Sequence, residues 1–158
     1  KAGVMMAAKN YEGPVWFVGD LANPPLADKS CKFILNFLSP ANYAEFKRIL
    51  TEDGMIIKVI PGSGYLKELR NELFNNTGES EYENNDTLEL MKRNVKVVSE
   101  ERITYKKTLN ASALKDLISM TPLGWHADDA QIERFVSSGD KEITVDMHIV
   151  IAQEEKNS

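Results

Sequence analysis

Two short apolar runs, Val15 to Val18 and Phe33 to Leu38, constrain this chain more than any other feature. Each is nearly continuous in apolar residues and stops at a polar break, Gly19-Asp20 and Ser39-Pro40. Each therefore reads as a strand buried on both faces. A third run, Met55 to Ile60, follows the Asp53-Gly54 turn and closes at Pro61-Gly62. Buried strands separated by helical or crossover segments predict parallel strands of one α/β sheet. In open sheets of this kind ligands gather beyond the carboxyl ends of the strands, where Asp20 and Asn36 fall.

Helices are expected between and around these runs. Ala2 to Lys9 is Ala-rich and ends before the Gly13-Pro14 breaker. Ser39-Pro40 reads as a cap followed by proline at the first helical position, and Tyr43, Phe46, Ile49 and Leu50 recur at helical spacing. Leu66, Leu69, Leu73 and Phe74 give another helix its stripe. Asn75 to Asp86 is polar and reads as a mobile loop, and Asp86 with Glu89 resembles a capping box for a helix to Arg93. Val95 to Leu109 reads as one long, bulged strand. Helices around Leu114 to Ile118 and Ile132 to Val136 follow, capped by Asn110 and near Asp128. In the last strand Ile143, Val145, Met147, Ile149 and Ile151 alternate with Thr144, Asp146, His148 and Val150. That pattern predicts a half-buried strand antiparallel to its neighbour, with the first set facing inward.

Composition narrows the class. The 158 residues suffice for one domain with a real core, and 42% apolar with 27% charged residues fits a soluble globular protein. No apolar run approaches membrane-spanning length, and nothing resembles a signal peptide. The single cysteine, Cys31, excludes an internal disulfide framework and a cysteine-rich metal site, and fits a cytoplasmic chain. A net charge of −5 argues against a general nucleic-acid binder.

Three segments carry a family resemblance: GDLANPPLAD from Gly19, LNFLSPANYAEFKRIL from Leu35, and MTPLGWHA at Met120 to Ala127. Together, and in that order, they resemble the bacterial large-subunit rRNA guanine-N1 methyltransferases, a class I S-adenosylmethionine-dependent family. The resemblance implies a Rossmann-like α/β sheet with an antiparallel last strand. Family members also carry an amino-terminal four-cysteine zinc module, a Gly-rich loop after the first strand and an acid after the second. This chain has no G-x-G-x-x-G, and Pro61-Gly62-Ser63-Gly64 matches a late turn better than a cofactor loop. The expectation is a carboxyl-terminal part of a methyltransferase domain, residues 1–158, lacking the first two strands, inactive alone and holding no metal. The first of the three runs should then be displaced, poorly paired or paired to another chain.

The resemblance assigns roles. Asp20 would accept the adenine amino group of S-adenosylmethionine, with the Leu21 N–H near a ring nitrogen; the bland reading is a loop acid closing a turn. Asn36 would lie beside the methyl group as a cofactor-binding and catalytic residue, against a buried amide satisfied by backbone. Ser39 and Pro40 would form the substrate-side tip, although Ser39 also suits a helix cap. Trp125 would stack on an extruded guanine of ribosomal RNA and His126 would take its N1 proton, against a Trp packed at the core edge beside a surface His. Lys32 departs from the pattern, which has an acid at that strand start. Cys31 reads as a small buried filler and His148 as structural. Two other readings stand beside this one: a class I methyltransferase for a small molecule, and a non-enzymatic scaffold. A homodimer is open.

Overall fold

The computed structural model describes residues 2–74, 85–122 and 127–154. The order of elements is α1 (Ala2–Asn10), β1 (Cys31–Phe37), α2 (Tyr43–Ile49), β2 (Leu50–Pro61), α3 (Lys67–Phe74), α4 (Asn85–Asn94), β3 (Lys96–Leu109), α5 (Ala111–Met120), α6 (Asp129–Ser137) and β4 (Lys141–Gln153). One sheet of four strands has the order β1-β2-β4-β3. β1 and β2 run parallel, with Leu35 opposite Ile57. β4 is inserted antiparallel between β2 and β3. The parallel pair and the antiparallel last strand agree with the expected fold class.

The first apolar run does not form a strand. Val15 to Val18 has no regular structure, and Val15 is 87% exposed. Apolarity alone marks a segment that wants burial; it becomes a strand only where a neighbouring strand offers its hydrogen bonds. Among the described residues this segment has no such neighbour, in line with the expected displacement and against the expected pairing.

Helix ends follow local chemistry, with one correction. Ser39 and Pro40 do not cap α2. The chain takes three more residues to turn, and Asn42 is the cap, its Oδ1 accepting the Glu45 N–H at 3.2 Å. Asn110 and Asp128 cap α5 and α6 as expected, accepting from Ala113 and Ala130. α4 begins at Asn85, which puts Asp86 inside its first turn. β2 is also longer than its apolar run, because Leu50 pairs with Cys31 before a register shift.

Two apolar clusters form the core. Tyr43, Phe46, Ile56, Ile60, Met91 and Val150 unite α2, α4 and one face of the sheet. Leu66, Leu69, Leu114, Ile118, Phe135 and Ile143 unite α3, α5, α6 and the start of β4. The alternation of β4 is thereby corrected: Thr144, Asp146, Val150 and Ala152 are buried, while Val145, Met147, Ile149 and Ile151 are only half-buried. The same asymmetry holds on β1, whose Phe33 and Leu35 are 61% and 66% exposed. The expectation that β1 is buried on both faces fails because only the α2–α4 face is covered among the described residues. No described helix is long and apolar enough to cross a membrane.

Candidate functional site

The parallel pair sets Asn36 of β1 opposite Lys58 of β2, both on the covered face. Both are buried, with 6% and 2% exposure. Lys58 Nζ donates to Asn36 Oδ1 and, at 2.9 Å, to the Ser39 carbonyl. Asn36 Nδ2 donates in turn to the Pro40 carbonyl at 2.9 Å. Burial pushes the Lys58 ammonium below its ordinary range. Between Asn36 and Ser39 the backbone turns through Leu38, a non-glycine residue at φ 47°. That left-handed conformation is costly for a branched side chain and persists where its surroundings fix it. Here the Leu38 N–H donates to the Val59 carbonyl at 3.1 Å, and the Lys58–Asn36 bonds hold the residues on either side.

Two cavities open at this end of the sheet and share Leu38 and Pro61 in their walls. One, of about 400 Å³, is lined by Ser39, Pro40, Tyr43, Lys58, Thr87 and Leu90. The Tyr43 hydroxyl is buried with no hydrogen-bond partner among the described residues, and burial raises its pKa. The other, of about 550 Å³, has mainly apolar walls that include Phe37, Tyr65, Leu117, Met120 and Pro122. Apolar walls with a few polar groups suit a small organic ligand.

A second buried polar cluster fixes the loop after β2. Asp146, 1% exposed, accepts from Arg102 Nε and Nη2 at 2.8 Å each. It also accepts from the Gly64 N–H at 2.8 Å and the Thr104 hydroxyl at 3.0 Å. The Arg102 guanidinium, with these other donors, holds its carboxyl well below the usual carboxylate range. A Cβ on Gly62 would meet the Asp146 carboxylate at 2.5 Å, so the glycines of Pro61-Gly62-Ser63-Gly64 let the loop lie against it.

The expected site residues divide three ways. Asn36, Ser39 and Pro40 come together around Lys58. Asp20 and Leu21 lie in an exposed loop, where Asp20 Oδ1 accepts the Ala22 N–H at 2.9 Å and closes a turn. Farther along, Arg48 of α2 donates to the Leu26 carbonyl at 2.8 Å and to Asp28, fixing that loop to the helix. Trp125 and His126 lie outside the described residues. Lys58 and Asp146 escaped the sequence reading. Their signal was a single charge inside an otherwise apolar strand, MIIKVIP and ITVDMHIVI, where burial demands a partner. Among the described residues no group of three His, Cys, Asp or Glu side chains is placed to hold a metal ion.

No protein-family model matches the chain. It is 38% identical, over 96% of its length, to the Bacillus subtilis (strain 168) protein named "Putative 23S rRNA (guanine-N(1)-)-methyltransferase YxjB", of which it covers 54%. It is 26% identical, over 97% of its length, to the 23S rRNA (guanine(748)-N(1))-methyltransferase of Streptomyces fradiae, of which it covers 55%. Thus the chain spans about half the length of these curated relatives. In fold it matches the crystal structure of a Bacillus halodurans C-125 protein described as "a putative methyltransferase", with a TM-score of 0.54 and 12% identity, over 98% of this chain and 78% of the other. Its sequence makes the chain a homologue of proteins named as 23S rRNA (guanine-N1) methyltransferases, and its sheet has the Rossmann-like methyltransferase fold.

Proposed function

We propose that this chain is the carboxyl-terminal part of a cytosolic S-adenosylmethionine-dependent enzyme that methylates N1 of a guanine in 23S ribosomal RNA. The observation that carries the reading is the 38% identity to the Bacillus subtilis relative along nearly the whole chain. The placement of Asn36, Ser39 and Pro40 at the carboxyl end of β1 supports it, because that is where an open sheet presents ligands.

Bound S-adenosylmethionine supplies an electrophilic methyl group on a sulfonium. The residues of this chain have three tasks. Asp20 and Leu21 hold the adenine; both are exposed, so a ligand can reach them. Asn36 fixes the strand end where the methyl group would lie, and among the described residues its bonds to Lys58 and Pro40 leave one amide hydrogen uncommitted. Ser39, Pro40 and Trp125 seat the guanine. Transfer of that methyl group to N1 would break its bond to sulfur, release S-adenosylhomocysteine and require N1 to lose its proton, and His126 is the group proposed to take it.

The test joins this chain to the amino-terminal segment of the Bacillus subtilis relative, as one polypeptide or as two. Unmodified 23S rRNA is then incubated with labelled S-adenosylmethionine, and digested nucleosides are read by mass spectrometry. The expected product is N1-methylguanosine. Its absence, in a preparation that folds and binds the cofactor, overturns the reading. Alone, the chain is expected to bind S-adenosylmethionine more weakly than micromolar, which corresponds to about −8 kcal/mol. A titration of micromolar strength would show that no further Gly-rich loop is needed.

A further inference from the structure

The geometry points to Lys58 as a positioning residue: it braces Asn36 and the Ser39-Pro40 loop in the one conformation that presents them at the strand end. This rests on the methyltransferase reading and adds to it a residue with a distinct job. Lys58 stands inside the apolar run of β2 and is 2% exposed. Among the described residues both of its acceptors are neutral oxygens, Asn36 Oδ1 and the Ser39 carbonyl. A buried ammonium without a carboxylate is costly to keep in a fold. An apolar side chain of the same length would fill the position without that cost. What Lys58 provides in exchange is geometric. It fixes which way the Asn36 amide points, so that Nδ2 faces the Pro40 carbonyl. It bridges two β1-side residues on either side of Leu38, the residue held at φ 47°. With the Leu38 N–H bonded to Val59, the turn is tied to β2 at two points, by backbone and by side chain. Lys58 also lines the 400 Å³ cavity beside Ser39 and Pro40, so relaxation of the brace would reshape that wall.

The variant Lys58→Met keeps an unbranched side chain, one atom shorter, and removes the donors. Two readouts are taken. In the chain itself, hydrogen exchange measures the Leu38, Ser39 and Ala41 amides against those of β2 and β4. The expectation is at least tenfold faster exchange at the turn, with the sheet unchanged. In the joined protein, methylation of 23S rRNA is followed at saturating cofactor. The expectation is a loss of about tenfold to a hundredfold in kcat, the scale of a misplacement near 1 Å, with the KM for S-adenosylmethionine within twofold. Asn36→Leu should give a similar loss, and the double variant should lose little more, because the two side chains act as one unit. If Lys58→Met does not fold, Lys58→Gln, which keeps an amide donor toward Asn36, carries both readouts, with a smaller shift at the turn and in kcat. Parent-like exchange and kcat in the folded variant overturn the brace. Losses that multiply in the double variant also overturn it. A parent that methylates nothing overturns the methyltransferase reading instead, and the exchange readout then still decides whether the brace exists.

Discussion

The two buried polar clusters on the sheet are opposites in design. Around Asp146 an ionised carboxylate meets a forked guanidinium, a backbone N–H and a hydroxyl, so its charge is balanced and its lone pairs are used. Around Lys58, among the described residues, an ionisable amine meets only neutral oxygens. The first is what a structure builds to pin a loop. The second gives up stability and is explained by what it orients. The difference separates residues that hold the fold from residues that prepare a site, although both are charges buried in the middle of strands.

The largest effect that would test this contrast is expected at Asp146. Asp146→Ala leaves the Gly64 N–H and the Thr104 hydroxyl without an acceptor and should cost about 3 kcal/mol. For a domain of this size that corresponds to a fall of roughly 6–12 °C in Tm, measured by calorimetry. A change near zero would show that the loop after β2 is held by its backbone bonds alone. Acid should reveal the same carboxylate. Its folded pKa lies below the ordinary value of about 3.9, so its contribution is complete above that value and is lost as pH falls toward the lowered one. Denaturant titrations of the parent should therefore lose stability progressively below about pH 4. Asp146→Asn should show a shallower loss, and equal slopes would assign the acid sensitivity elsewhere.

Smaller effects sit at the other end of the comparison. In the joined protein, Trp125→Ala should lower the catalytic efficiency on RNA about tenfold to a hundredfold, the value of one base stacked on an aromatic ring. The affinity for S-adenosylmethionine should be nearly unchanged, while Asp20→Ala should weaken cofactor binding first. A Trp125→Ala variant that unfolds at ordinary temperature would make that ring a packing element. The smallest shift is expected in the stability of Lys58→Met, whose Tm should stay close to the parent's because removal of a costly buried amine offsets the loss of a donor to Asn36 Oδ1 and the Ser39 carbonyl. A large fall would make Lys58 a fold residue like Asp146 and erase the distinction.

Much of the sheet was legible in the chain. Phe33 to Leu38 and Met55 to Ile60 announced a parallel pair by their apolar runs, and Asn110 and Asp128 announced helix starts by the chemistry of their side chains. Val15 to Val18 misled because its composition matches a strand while strand formation depends on a distant partner. β4 misled for a related reason: its Ile residues share one face, yet the position of α2 and α4 puts Val150 and Ala152 of the other face inside. At the candidate site, Asn36 and Ser39 were visible at a strand end, but their dependence on Lys58 was not. The bond joins residues 22 positions apart in the chain, and only the register of β1 on β2 brings them level.

The register of β1 has one more consequence, which concerns handling rather than catalysis. Among the described residues β1 pairs on one side only, through β2. Its other side offers seven residues of unpaired backbone, with Phe33, Leu35 and Phe37 exposed above it. An edge of that kind is a template on which further strands add, and charge is the usual guard against it. Lys32, ion-paired to Asp53, is the single charged side chain on this strand. That charge is neutralised by its partner, so preparations of the chain by itself should be kept dilute and at low salt, where the net charge of −5 keeps copies apart.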